Sequence, residues 1–250
     1  MDLFNVIKQR RSVRTFNDQI PSQDILQCLE TTIESVRNTG YRLETLYTRL
    51  SENIGSYGII KNAPAWLVLI TDGRPGSILR CAMEAEKIVL QLTGQGIGTC
   101  WIGGTFSTKD VESKLSIGTN EKIAAVIPFG IAADKPRLIE KLQSSLIHSK
   151  SRKPFSTLFK VDDNAPEVVS KVLEAVRLAP SAVNAQPWRI EVDASGCAVF
   201  HSNTDNKYTM LDMGIALAHF ALAAHELGFT GKLLIPDNPT PAHIADWVAS

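Results

Sequence analysis

The feature that most constrains this chain is that its pattern of elements occurs twice. Each half reads as a helix, a strand, a long apolar helix and a glycine stop. In the first half the long helix carries Ile78, Cys81, Ala82, Ala85, Ile88, Val89 and Leu92 on one face and stops near Gly94-Gln95-Gly96. In the second, Asp212-Met213-Gly214 opens a long apolar helix that runs through Leu222 and is closed by Gly228-Phe229-Thr230-Gly231. The endings Gly96-Ile97-Gly98-Thr99 and Leu227-Gly228-Phe229-Thr230 are alike. Such a chain is expected to fold as a duplicated unit, and its 250 residues suffice for one large domain or two small ones.

Between these landmarks the periodicity predicts a short helix over 2–9 with Leu3, Val6 and Ile7 on one face. A second helix follows Pro21, with Ser22 as N-cap and Asp24 in its first turn. Residues 38–61 read as a loop and a helix. The apolar run Ala63–Ile70 reads as a buried strand, and Ser77 as the cap of the first long helix. Next come a short helix over Ser107–Leu115, a strand over Ile123–Gly130 in which Pro128 is awkward, and a linker or helix over Lys135–His148. A helix opens at Asn164-Ala165-Pro166-Glu167. Strand Trp188–Val192 then turns at Ala194-Ser195-Gly196 into Cys197–His201. Prolines 236, 239 and 241 suggest a surface tail with a last short helix over Ile244–Val248.

Three stretches carry chemistry. Arg10-Arg11-Ser12-Val13-Arg14 alternates cations with a hydroxyl beside a helix end, which suits a phosphate because guanidinium forks match its oxygens. Lys150-Ser151-Arg152-Lys153 is a second cluster of the same kind. Pro180-Ser181-Ala182-Val183-Asn184-Ala185-Gln186-Pro187-Trp188 crosses from helix to strand without a charge, and its amides and hydroxyl suit a neutral ligand edge. The plain alternatives stay open at this point: basic surface turns for the first two, a capping connector for the third. The glycines of Gly96–Gly104 do not fit a dinucleotide fingerprint but allow backbone to approach a flat ligand.

Composition excludes more than it selects. Lys+Arg 26 balances Asp+Glu 26, so nothing global invites nucleic acid or an anionic membrane, and any anion site is local. Hydrophobic residues at 44% with no run near the length of a membrane span fit a soluble globular protein. The four cysteines form no CxxC and the five histidines no metal spacing, so no zinc site or disulfide scaffold is expected. The start, Met1–Lys8, reads as an amphipathic helix rather than a signal peptide, and the expected location is the cytoplasm.

Taken together, the motifs resemble the nitroreductase family of FMN-dependent flavoproteins, whose members are usually homodimers of α+β fold with two flavins at the subunit interface. Arg10, Arg11, Ser12 and Arg14 look like the family's N-terminal motif, which contacts the flavin phosphate, ribityl chain and pyrimidine edge. Pro180, Ser181, Ala182, Asn184 and Gln186 look like its Ala-Pro-Ser…Asn-x-Gln-Pro-Trp segment, normally donated by the other subunit. Trp101-Ile102-Gly103-Gly104 matches the loop near the flavin N5, which assigns Ile102, Gly103 and Gly104. Lys150 and Arg152 resemble the basic stretch at the family's C-terminus that grips the phosphate, here placed mid-chain.

The resemblance implies an α+β, nitroreductase-like fold, internally duplicated so that one chain mimics the homodimer, with halves at 1–160 and 161–250. The first half has Asn38-Thr39-Gly40-Tyr41 where the Pro-Ser…Asn segment would sit, and the second lacks Arg-Arg-Ser-x-Arg, so one complete FMN site is expected. It further implies an oxidoreductase that uses NAD(P)H to reduce nitroaromatic, quinone or related small-molecule acceptors. FMN would carry the redox chemistry and no side chain would act as general acid or base. A fused dimer leaves the chain free to be monomeric. The alternatives are a flavin-binding or sensing protein without turnover, and a duplicated scaffold that has lost FMN.

Overall fold

The computed structural model describes residues 2–47, 60–134 and 151–250. The chain divides into two compact units, which do not coincide with the expected halves. One comprises Gln9–Gly73 and Ile88–Ser149; the other comprises Met1–Lys8, Arg74–Lys87 and Lys150–Ser250. The expected linker or helix over Lys135–His148, and Lys150, lie outside the described residues.

The first of these units holds a four-stranded sheet. Its strands are β1 (Tyr41–Leu46), β2 (Ala65–Thr71), β3 (Gly98–Thr99) and β4 (Lys122–Gly130), in the order β1-β2-β4-β3, every neighbour antiparallel. The central strand is β2, and its unbroken apolar run is buried at every position, as a strand paired on both sides requires. Within 38–61, expected as a loop and a helix, 41–46 form strand β1, and 48–59 lie outside the described residues. Leu43 and Leu46 are three apart, a spacing that a helix also produces, but the strand runs the length of β2 from Tyr41↔Thr71 to Leu46↔Trp66 and buries both leucines. Pro128 sits within β4 without breaking it. Its carbonyl accepts from the Cys100 N–H, so its missing donor faces the short β3 edge, and β2 loses nothing.

Helices α1 (Leu3–Gln9) and α2 (Gln23–Ser35) fall where the periodicity placed them. Ser22 occupies the N-cap of α2 without a side-chain cap bond. The long helix α3 (Pro75–Gly94) begins earlier than expected: Pro75 is its first residue, where a proline costs no intrahelical bond, and Ser77 is already inside it. Short helix α4 (Thr108–Glu112) is capped by Ser107, whose side chain accepts from the Asp110 N–H.

The other unit holds a five-stranded sheet of β5 (Phe159–Val161), β6 (Trp188–Val192), β7 (Ala198–Ser202), β8 (Gly231–Leu234) and β9 (Ala245–Ala249), in the order β5-β6-β7-β9-β8. β5 pairs parallel to β6, and the remaining pairs are antiparallel. Helices α5 (Phe155–Leu158), α6 (Val168–Arg177) and α7 (Thr209–Glu226) complete it. The expected final helix is instead β9. Ala245 and Trp247 turn inward, and the strand takes backbone bonds from β7 on one side and β8 on the other, which a helix there could not supply. Phe200, Phe220 and Trp247 pack edge to face, with centroids 5.0 and 5.3 Å apart. No helix among the described residues is long and apolar enough to cross a membrane.

Discounting β5, the two sheets share one order: an antiparallel pair, a long helix, then two strands of which the later one lies inside. The long helices also end identically. Gly96 (φ 79°) donates to Thr93 O while Ile97 donates to Leu92 O; Gly228 (φ 66°) donates to His225 O while Phe229 donates to Ala224 O. Both are Schellman stops, which need the left-handed residue that glycine provides at no steric cost.

Helix α7 is buried over most of its circumference, including Met213, Gly214, Leu217 and Phe220. A Cβ on Gly214 would fall on the Leu79 carbonyl oxygen and lie 2.8 Å from Ala82 Cβ, so this turn of α3 is seated directly on glycine. Gly214→Ala is therefore expected to destabilise the protein by about 1–3 kcal/mol through overpacking. Urea unfolding measures this, and a variant as stable as the parent would mean that the two helices part without cost.

Candidate functional site

Arg10–Arg14 leaves α1 in extended form alongside β3. Ser12 bridges Thr99 in parallel, and the Val13 N–H donates to Thr99 O at 2.8 Å. The Lys61 N–H donates to Arg14 O at 2.8 Å, and the Phe16 N–H to Lys61 O at 3.0 Å. Val13 and Phe16 are buried anchors, which leaves Arg11 and Ser12 exposed and Arg10 and Arg14 half-buried. Gly98 makes the close seat possible, because a Cβ there would lie 2.7 Å from Val13 Cγ2.

Three residues beyond Thr99, Ile102 is buried and bonded in both directions to Val126 of β4, each at 3.0 Å. Its pinning delivers the chain into a bend at Gly103 and Gly104, half-buried and exposed respectively. The fold of this unit thus places the Arg10–Arg14 segment and the Ile102–Gly104 bend on neighbouring backbone. Cations, a hydroxyl and a glycine bend are the donor set that a phosphate and a flat heterocycle call for.

In the five-stranded unit Arg152 is brought to the Pro180–Gln186 segment. Its guanidinium donates to Leu178 O at 3.2 Å, Asn184 Oδ1 at 3.2 Å and Ser151 O at 2.9 Å. Leu178 is the C-cap of α6, where a cation is favoured. Asn184 Nδ2 donates to Ser151 O at 3.0 Å, so Asn184 and Arg152 shape the segment together. Gln186, 2% exposed, accepts the Lys153 N–H at 2.8 Å through Oε1, and its own N–H donates to Ser181 Oγ at 2.9 Å. Pro180, Ser181 and Ala182 are half-buried.

The segment is strained. Val183 (φ 45°), Asn184 (φ 58°) and Gln186 (φ 46°) all lie in the left-handed region, and Val183 is β-branched and 74% exposed. Residues held this way cluster at ligand clamps and switch regions.

The family model described as "Putative TM nitroreductase" matches residues 2–224. The chain belongs to this nitroreductase family. Among solved structures, a "putative nitroreductase" of Thermotoga maritima is 21% identical with a TM-score of 0.66, and the match covers 99% of this chain and 94% of that one, a likeness of fold. An FMN-dependent nitroreductase of Clostridium difficile R20291 is 20% identical over 54% of this chain and 90% of its own, with a TM-score of 0.45. A nitroreductase with bound FMN from Desulfitobacterium hafniense is 18% identical over 54% of this chain and 92% of its own, with a TM-score of 0.44. No curated protein sequence matches the chain.

Within this nitroreductase-family chain, Lys153 of the basic cluster bonds the Pro180–Gln186 segment, and two further neighbours, Arg189 and Asp212, escaped the sequence reading as site residues. Lys153 Nζ donates to Ala185 O at 2.6 Å; burial, and secondarily the charge of Arg189, hold its ammonium below the usual lysine range. Arg189 donates to Gln186 O at 3.3 Å, and burial lowers its pKa too. Asp212, 5% exposed in the first turn of α7, accepts the Ala182 N–H at 2.9 Å. A lone carboxylate within an apolar helix was the available signal, since such a group is buried only with a partner.

Burial pushes the Asp212 carboxyl up to about 7, against the opposing effect of the Ala182 bond. The folded state therefore holds a proton that the unfolded state, with a carboxyl near 3.8, has lost. Stability contributed by this group is present in full below about pH 4 and falls as pH rises to about 7. Urea midpoints should be lower at pH 8 than at pH 5.5, and Asp212→Asn should remove that difference. An unchanged pH dependence in the variant would assign it to other groups.

The strain at Val183 yields a separate expectation. Asparagine tolerates the left-handed region far better than a β-branched residue. Val183→Asn should raise stability by about 1 kcal/mol in the absence of any ligand. A lower melting temperature would show that the valine makes contacts outweighing its strain.

Proposed function

We propose that this chain is an FMN-dependent oxidoreductase that takes reducing equivalents from NAD(P)H and passes them to a nitroaromatic, quinone or related small-molecule acceptor. What supports the reading is the fixed adjacency, inside one unit, of the Arg10–Arg14 segment and the Ile102–Gly104 bend along β3. In this assignment Arg10, Arg11, Ser12 and Arg14 hold the phosphate and ribityl end, with Lys150 and Arg152 as the second cationic group. Backbone N–H groups of Gly103 and Gly104 serve the ring. Pro180, Ser181, Ala182 and Asn184 supply neutral contacts, while Gln186 shapes their segment from within through its bonds to Lys153 and Ser181. When bound, FMN supplies the hydride and electron chemistry, and the protein's part is to bind, orient and shield it.

The shared strand order and the identical helix stops support the further proposal that 1–160 and 161–250 are copies of one ancestral unit, fused so that a monomer suffices. Since the two copies carry different motifs, one FMN per chain is expected. The four cysteines are free thiols, which supports a reducing, cytoplasmic setting.

Calorimetric titration of the apo-protein with FMN should give a stoichiometry near one, and a clean value of two would overturn the single-site reading. Arg14→Ala should weaken FMN roughly ten- to hundredfold, the worth of a charge-assisted bond, while leaving riboflavin, which has no phosphate, little changed. Equal weakening of both ligands would remove Arg14 from the phosphate. Anaerobic reduction of the FMN-loaded protein by NADH and NADPH, followed by an acceptor panel, then separates an enzyme from a flavin carrier.

A further inference from the structure

The Ser181–Gln186 segment holds three non-glycine residues in the left-handed region within four positions. Such backbone persists only where its surroundings over-determine it. Four amides are tied in the segment. The Ala182 N–H donates to Asp212 Oδ1, the Asn184 N–H to Ser181 O, the Ala185 N–H to Ala182 O, and the Gln186 N–H to Ser181 Oγ. The last three are closed within the segment itself, so they set its curl but not its place. Arg152 and Lys153 add bonds from the stretch just before α5, at Asn184, Ala185 and Gln186.

The Asp212 bond has a different anchor. It comes from the first turn of α7, the most deeply buried helix of its unit, two residues from the glycine on which α3 rests. It also grips the start of the curl, one residue before the strained Val183. A buried carboxyl costs free energy that an apolar side chain of similar size would not. At this position the Ala182 N–H is what the carboxyl receives in return.

We propose that Asp212 is the positioning residue of the Ser181–Gln186 segment, fixing its curl to helix α7 so that Val183 is held outward at the face the segment offers to a ligand. The part of this that concerns FMN rests on the function proposed above. Burial that raises the carboxyl to about 7 is consistent with a group retained for its hydrogen bond and not for its charge.

Hydrogen exchange on the full-length, FMN-free protein tests it. Asp212→Leu keeps the branched shape and removes the acceptor, and Asp212→Ala serves if the leucine variant does not fold. Exchange at Ala182, Asn184, Ala185 and Gln186 should accelerate about tenfold or more, while core amides of α7 such as Leu217 and Phe220 follow the global stability. Asp212→Asn, which keeps an acceptor oxygen, should restore slow exchange. Parental rates in the leucine and alanine variants, or an asparagine variant as fast as they are, would overturn the proposal. In parallel, the FMN dissociation constant should rise about tenfold for the leucine variant and stay near the parental value for the asparagine one. If the exchange results hold but the parental protein itself binds no FMN, the positioning role stands and the flavin reading falls. If FMN binds and the leucine variant binds it as tightly as the parent, Asp212 does not serve the ligand.

Discussion

The five-stranded unit depends on how closely α7 and the first turns of α3 approach. Gly214 removes the side chain that would hold them apart, since even a methyl group would meet the Leu79 carbonyl. Five residues further along α7, the same helix pair buries a polar contact completely. Glu86 and His219 are both fully buried, with His219 Nε2 3.0 Å from Glu86 Oε1. The other imidazole nitrogen, Nδ1, lies 2.9 Å from Ala175 O and must carry a proton to donate there. Removing either partner would take away a hydrogen bond made where both side chains are fully buried. Glycine makes the approach possible; the pair, with a bond to α6, fixes where along the helices it happens. Apolar packing alone would tolerate a slip of one turn far more readily than a hydrogen bond with a single partner atom.

The two sheets share a strand order and a helix stop while the stretches that follow the stops differ. Strand order and helix stop are held in both, because each is a backbone solution that many side chains satisfy. The stretches after the stops are free to differ. Counting from Gly96 and Gly228 (228 − 96 = 132), the residues matching Trp101-Ile102-Gly103-Gly104 are Leu233-Leu234-Ile235-Pro236. A proline in place of Gly104 has no N–H to offer, and the carbonyls of Ile235 and Pro236 instead receive the Arg80 guanidinium, at 2.8 and 3.4 Å. In the five-stranded unit this stretch is a structural contact with α3, while in the four-stranded unit it is a glycine bend with Gly104 exposed.

The sequence was legible where one local signal dominated. The Ala65–Thr71 strand, the helix stops and the Trp188–Ser202 hairpin were readable because burial on both faces, left-handed glycine and a turn cluster each leave one interpretation. β1 and β9 were not. Leu43 and Leu46, or Ile244 and Val248, repeat at spacings a helix shares, and the pairing that decided the outcome lies tens of residues away in the chain. The candidate site was legible by residue type and less so by partner. The motifs named Arg152 and Asn184, but nothing in their types told that they bond to one another and to Ser151. Asp212 was read as part of a helix start because its partner is a backbone N–H, and backbone leaves no trace in a side-chain pattern.

Asp212 and Gly214 lie on the same opening turns of α7, so the turn that admits α3 also ties down the Ser181–Gln186 segment. That arrangement explains how strain can persist in a segment whose Val183 is exposed. Left-handed Val183 and Gln186, at about 1–2 kcal/mol each, would relax if the segment were held only by bonds of its own. Tying the first of its amides to a helix whose position is fixed by a glycine contact and a buried Glu–His pair makes relaxation at Val183 compete with the packing of the core. On that proposal the loop's position depends on what α7 rests on, and changes at Gly214 or Glu86 are expected to reach it through that helix.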